Sequence, residues 1–186
     1  MKKNPHYFYA VKLPIEIKLR LQEICSQLKE NFPFKNWVHH EDYHITLAFL
    51  GNANREQLEA SIHFVQQALA LLDSFSLTIN QLGTFGKSDS PRIFWAGLEK
   101  EAHLFRTREH VFHACRKADF ILETRPFHPH ITLARKWLGS SSFEHDLLKK
   151  IETLHFEAKE VVLYETHLEK VPKYEVKQTF LLNKVG

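Results

Sequence analysis

The pentapeptide His44-Ile45-Thr46-Leu47-Ala48, inside DYHITLAFLGN, returns unchanged as His130-Ile131-Thr132-Leu133-Ala134 inside PFHPHITLARK. Five identical letters twice in 186 residues is improbable by chance, and self-similarity at a fixed spacing is the mark of a repeated structural unit. His44 and His130 lie 86 residues apart, and so do Ala10 and Ala96, Leu77 and Leu163, and Leu82 and Leu168.

Working outward from the two pentapeptides, each half reads as strand, helix, strand, helix, strand. In the first half, HYFYAVKLP alternates and predicts a strand at about 6–13, and Pro14 opens a helix to about residue 30, with Ile17, Leu21, Ile24 and Leu28 on one face. NFPFKNWVHHED is expected to be a loop and YHITLAFLG a strand. Asn54 with Gln57 forms a capping-box pattern before a helix whose stripe is Leu58, Ile62, Val65, Leu69 and Leu72, and FSLTINQLGTF closes the unit as a strand. After the loop GKSDSP the order restarts: strand RIFWAGLEK, a helix over 101–117 marked by Leu104, Arg108, Val111 and Cys115, loop TRPFHP, and strand HITLARKWL. A second capping box at Ser141–Glu144 predicts a helix carrying Leu147, Ile151 and Leu154, followed by a strand FEAKEVVLYETHL and a last strand KYEVKQTFLLN. The expected fold is α+β: one bilobal domain over 1–186, with duplicated βαβαβ units (about 6–86 and 92–172) and mainly antiparallel sheets around a central cleft. A doubly wound parallel sheet is disfavoured, because no glycine-rich phosphate turn follows the first strand.

Composition narrows the function classes. With 44% hydrophobic residues, 25% charged residues and 15 Phe, the chain can bury a real core and is not a disordered segment. No apolar run reaches membrane-span length, and the basic start MKKNPHYFYAVKLP lacks a signal-peptide core. Two isolated cysteines, Cys25 and Cys115, do not make a disulfide framework, so a reduced cytoplasmic setting is expected. A net charge of +3 permits a phosphate-bearing partner, although no dense Lys/Arg stripe is present.

In a strand, residues i and i+2 share a face. His44 and Thr46 therefore stand together, opposite Ile45 and Leu47, and His130 and Thr132 stand together, opposite Ile131 and Leu133. If the apolar pairs are buried, two imidazoles and two hydroxyls face a cleft. One neutral and one protonated imidazole can take a proton from a nucleophile and give one to a leaving oxygen, each role contributing about 10²–10⁴-fold. The threonine hydroxyls suit non-bridging phosphoryl oxygens, where transition-state charge sits. Arg135 offers a guanidinium fork, but it lies five residues from His130, so a bulge or strand end must redirect it to serve. On this reading the twin motif leaves open which histidine is acid and which is base. A metal site is the chemical rival, since His39, His40, Asp42 and His44 cluster and His128 precedes His130, but the spacings differ between halves and Thr is a poor zinc ligand. No metal and no cofactor are expected, and no nucleophilic Ser or Cys motif is present.

His44-Ile45-Thr46-Leu47 and His130-Ile131-Thr132-Leu133 resemble the paired H-x-T-x motifs of the two-histidine (2H) phosphoesterase superfamily. HITLAFLG, LGTFG, SPRIFWAGL and FHPHITLAR are similar in order and spacing to its bacterial branch of RNA 2′,3′-cyclic phosphodiesterases, the LigT-type 2′-5′ RNA ligases. The resemblance implies a bilobal fold and metal-independent hydrolysis of a terminal 2′,3′-cyclic phosphate to a 2′-phosphomonoester. It implies His44 as proton donor, His130 as proton acceptor, Thr46 and Thr132 as phosphate-binding hydroxyls, and Arg135 as a phosphate clamp. The expected partners are RNA ends or nucleotides carrying the cyclic phosphate, met by a monomer away from membranes; 2′-5′ ligation, or binding of such ends without turnover, is the alternative. Phe49, Phe85 and Phe127 are candidates to stack a base, and Arg92 and Lys87 to meet RNA backbone.

Overall fold

A computed structural model describes residues 5–148 and 150–185. Its elements run β1 (His6–Lys12), α1 (Ile15–Leu28), β2 (Phe34–Trp37), β3 (His44–Asn52), α2 (Arg55–Leu69), β4 (Phe75–Gly86), β5 (Pro91–Leu98), α3 (Ala102–Lys117), β6 (His130–Trp137), β7 (Leu154–Ala158), β8 (Glu160–Thr166) and β9 (Tyr174–Leu181). Short 3₁₀ turns at His40–Asp42 and His145–Leu147 lead into β3 and towards β7. The strands form two sheets, ordered β3-β1-β8-β9 and β2-β6-β5-β4-β7, and every pairing of named strands is antiparallel.

Each sheet takes two neighbouring strands from one half of the chain and borrows from the other. The first holds β1 and β3 but is completed by β8 and β9; the second holds β5 and β6 but pairs β5 with β4. A core running through both sheets joins Tyr9, Ile45 and Leu47 to Phe94, Ile131 and Leu133, with Leu21, Cys25, Val65, Leu104 and Val111 from the three helices packed into it. The inward stripes of α1 and α3 match the expected spacing: Ile17 and Leu21, and Leu104, Val111 and Cys115, are buried. Asn54 caps α2 by accepting from the Gln57 N–H at 2.8 Å.

The repeated pentapeptide has a backbone reason to persist. In β1–β3 pairing, Ala10 faces Thr46 and Tyr9 faces Ala48, so Leu47 is an extra residue; in β5–β6 pairing, Trp95 faces Thr132 and Phe94 faces Ala134, so Leu133 is the extra one. Both strands therefore carry a β-bulge at the same letter, and both bury two consecutive residues there, Leu47-Ala48 and Leu133-Ala134. The small alanine lets the bulged strand turn into the core beside leucine.

The structure differs from the sequence reading at four places. Among the described residues the helix expected after Ser141 does not form beyond a 3₁₀ turn: Phe143 is buried against Phe32, Phe34 and Trp137, its N–H donates to Asp89 O at 2.7 Å, and Trp137 Nε1 donates to Ser141 O at 3.1 Å. These contacts hold the segment extended, Glu144 supplies no side-chain cap, and Leu154 opens β7 by pairing with Ile79; Lys149 lies outside the described residues. The expected loop at NFPFKNWVHHED contains β2, which pairs with β6 because Phe34 is an inward aromatic stacked on Phe94. The single strand expected over FEAKEVVLYETHL breaks at Lys159, and its pieces enter different sheets. The 86-residue offset also slips at the third strand: Leu163 faces Tyr9 of β1, whereas Leu77 faces Phe156 of β7, because the carboxyl-terminal half of β4 is the part that pairs with β5.

Phe143 tests the first of these differences. Phe143→Ala should cost about 3–5 kcal/mol in denaturant-unfolding free energy, a core penalty, although the residue lies in no regular element.

Candidate active site

His44 stands at the first position of β3 and His130 at the first position of β6. Each ring is tethered the same way. Nδ1 of His44 lies 2.7 Å from Asp42 O, and Nδ1 of His130 lies 2.7 Å from His128 O. A carbonyl can only accept, so both Nδ1 atoms carry the proton and each neutral ring turns its Nε2 lone pair outward. At His44 that lone pair accepts from the Thr46 hydroxyl, 3.0 Å away. Thr132, half-buried like Thr46, lies on the His130 side of β6.

The bulges redirect the residues beyond them. Thr132 faces Trp95 and Arg135 faces Ile93, two residues along β5, so Arg135 returns to the His130 face of the sheet. Phe49 does the same in the other lobe: it faces Phe8, the β1 residue whose ring packs on His44 with centroids 4.8 Å apart. Arg135 and Phe49 thus hold matching positions, a guanidinium in one lobe and a half-exposed aromatic ring in the other. Arg92 is exposed at the start of β5, next to the position opposite Arg135, and Lys87 is exposed in the turn before it. Phe85 meets His130 edge-on at 4.9 Å, and Phe127 meets Phe105 edge-on at 5.2 Å.

Residues with no sequence signal complete the surroundings. Tyr174 lies edge-on to His44 at 5.2 Å and Tyr164 lies 5.8 Å from it, both packed with Phe8. Beside His130, the Trp95 ring lies flat over Gly83, where any side chain would overlap it. Phe85, Trp95, Phe105 and Phe127 line a cavity of about 250 Å³ that reaches His128 and His130. Alternation along β1 could have put Phe8 beside His44; the tyrosines arrive from strands more than a hundred residues away, which no local pattern reveals. His39 and His40 pack on each other at a tilt, 4.4 Å apart, with His39 accepting from the Glu41 N–H and His40 beside Gln22.

Both imidazoles are partly buried, with positive groups near them. Burial, with the charges of Lys18, His130 and Arg135, pushes His44 down to about 4, against the pull of the Asp42 carbonyl. Burial, Arg135 and His128 lower His130 as well, against its own carbonyl tether. Burial and Lys12 lower Lys18, whose ammonium donates to Glu41 O at 2.6 Å. Both imidazoles are thus neutral at pH 7. An anion bound among them would favour the charged form of each and raise both values.

His44 should leave a mark on stability. Its unfolded value is near the ordinary 6.5 and its folded value about 4, so the unfolded chain binds the proton first. The full contribution is present above pH 6.5 and is lost as pH falls through 4, by no more than about 3 kcal/mol and less to the extent that the ring's partial exposure lets water screen it. Denaturation between pH 7 and pH 4 should show this slope, and His44→Gln should flatten it.

The family described as "LigT like Phosphoesterase" matches the chain over residues 11–95 and 97–174. A Geobacillus stearothermophilus protein named RNA 2′,3′-cyclic phosphodiesterase is 42% identical over 97% of this chain, which spans 58% of that protein's length. A Bacillus subtilis protein of the same name is 36% identical, covering 92% of this chain and 93% of its own. Among solved structures, one from Thermus thermophilus superposes with a TM-score of 0.81 at 25% identity, covering 97% of this chain and all of its own. Escherichia coli LigT complexed with 3′-AMP superposes with a TM-score of 0.80 at 23% identity, covering 97% of this chain and 99% of its own, and speaks for the fold alone. With two matched stretches that take in nearly all of the sequence, and both pentapeptides within them, the chain belongs to the LigT-like phosphoesterase family.

Proposed function

We propose that the chain is a phosphodiesterase that opens the 2′,3′-cyclic phosphate at an RNA end to a 2′-phosphomonoester. One observation carries the reading: two imidazoles, each tied by Nδ1 to a main-chain carbonyl, present free or hydroxyl-bonded Nε2 atoms in a cleft that positive groups surround. The names of the relatives supply the substrate class.

In this reading water attacks phosphorus while the P–O3′ bond breaks in line. Nε2 of His130 takes the water proton, and Nε2 of His44 delivers a proton to the departing O3′; these two roles follow the family resemblance. The Thr46 and Thr132 hydroxyls donate to non-bridging oxygens, and Arg135 holds the same group from the far end of β6. The substrate's own negative charge raises the imidazole that must arrive protonated, so the acid is charged where it is needed. The cavity beside His130 accepts the base, with Phe85, Trp95 and Phe127 as stacking surfaces and Phe49 offering a further ring from the opposite lobe. Arg92 meets RNA backbone at the rim. The protein works as a monomer in the cytoplasm, a setting that suits Cys25 and Cys115 as buried free thiols; among the described residues no helix is long and apolar enough to cross a membrane.

A 2′,3′-cyclic nucleotide incubated with the protein and followed by phosphorus NMR should yield the 2′-phosphate, with EDTA making no difference. His44→Ala and His130→Ala should each lower turnover by about 10²–10⁴-fold while still folding. Turnover unchanged in either variant overturns the proposal.

A pH profile gives a second check. kcat/KM reports the free enzyme, in which both histidines titrate below 6.5, so its optimum should lie on the acidic side of that value. kcat, set by the anion-bound complex, should peak at higher pH.

A further inference from the structure

The two tethers look alike but are not built alike. Behind His130 the carbonyl belongs to His128, whose side chain is exposed. Behind His44 it belongs to Asp42, a residue only 5% exposed, whose carboxylate reaches across 131 residues to the start of β9. There the Lys173 N–H is shared between Oδ1 and Oδ2 at 3.0 Å each, and the Tyr174 N–H meets Oδ1 at 3.1 Å. The residue therefore holds two things at once: its carbonyl fixes the His44 ring, and its side chain fixes the backbone that carries Tyr174. The Tyr174 ring is in turn placed edge-on against both His44 and Phe8, at 5.2 and 4.9 Å. Among the described residues no cation lies within salt-bridge distance of this carboxylate, so main-chain N–H groups are its direct hydrogen-bond partners. Lys18, buried nearby, ties the preceding Glu41 carbonyl to α1.

We infer that Asp42 is a positioning residue for catalysis, a strap that holds His44 in one tautomer and one orientation by binding the amino-terminal end of β9 against it. Both rings have a carbonyl tether and an edge-on aromatic neighbour, Tyr174 at His44 and Phe85 at His130, but the residue behind the His130 tether is the exposed His128, so the strap makes the two tethers mechanically different. An imidazole that must pass its proton along one line of approach gains from such restraint, because angular freedom in a proton donor is lost rate. Asp42 touches no reacting atom; it acts through His44 and Tyr174.

Asp42→Asn is nearly isosteric but exchanges one accepting oxygen for an amino group that must face a main-chain N–H. With a 2′,3′-cyclic mononucleotide, kcat should fall by between about tenfold and 10²-fold, with KM little changed and thermal unfolding still cooperative. Nitrogen-15 NMR of the imidazoles should show His44 leaving its fixed Nδ1–H tautomer for an averaged state while the His130 signals stay in place. Wild-type kcat, or His130 signals that move as far as those of His44, would overturn the strap. Should Asp42→Asn not fold, Tyr174→Leu keeps the carboxylate bonds and removes only the ring. It should lower kcat with the His44 tautomer intact, and full activity would count against the proposal. The kinetic readout rests on the phosphodiesterase reading, whereas the ring signals do not, so failure of turnover in the wild type and failure of the strap are told apart.

Discussion

Two main-chain carbonyls, each 2.7 Å from the Nδ1 of a histidine two residues later in the chain, are the contacts on which the site depends. They decide where the protons sit. With Nδ1–H spent on the backbone, the only lone pair of each neutral ring lies on Nε2, where the His44 ring accepts from the Thr46 hydroxyl. Without that contact an imidazole at a strand end would rotate and exchange tautomers, and the pairing of a base with an acid would hold for a fraction of the time. The surrounding burial and positive charge depress both rings, an electrostatic strain that any bound anion would relieve.

A single inserted residue in each of two strands does the next piece of work. Period-two geometry would send the fifth residue after each histidine into the core, and the bulges at Leu47 and Leu133 reverse that. The same device delivers different chemistry in the two lobes: a charge at Arg135 and a flat apolar surface at Phe49. Near-twofold backbone symmetry thereby carries side chains that are not symmetric, which is what the proposed substrate, with a phosphate and a base, would require.

Much of this was legible in the letters. The H-x-T spacing put His44 with Thr46 and His130 with Thr132, the stripes of α1 and α3 marked their buried faces, and the odd step from His130 to Arg135 called for a bulge that β6 contains. What escaped was long-range. Ser141 to Leu154 has a capping pattern and helical spacing, yet Phe143 gains more by covering Phe32 and Phe34 than a short helix could return, so tertiary contact overrides local preference. Asp42 looked like one member of a histidine-rich loop, and its partners Lys173 and Tyr174 are too distant in sequence for any window to connect. Lys159 gave no sign that the strand on either side of it would divide between two sheets.

The exchange of strands between halves has a bearing on how the molecule comes apart. β8 must leave β1 before the first sheet can open, and β4 must leave β5 before the second can, yet β4 and β8 belong to opposite halves of the chain. Neither half can therefore melt while the other stays intact, and a nick between them would yield two fragments that each lack a wall. Unfolding is bound into one cooperative event, and the two histidines, one on each sheet, keep their mutual spacing until the whole structure is lost.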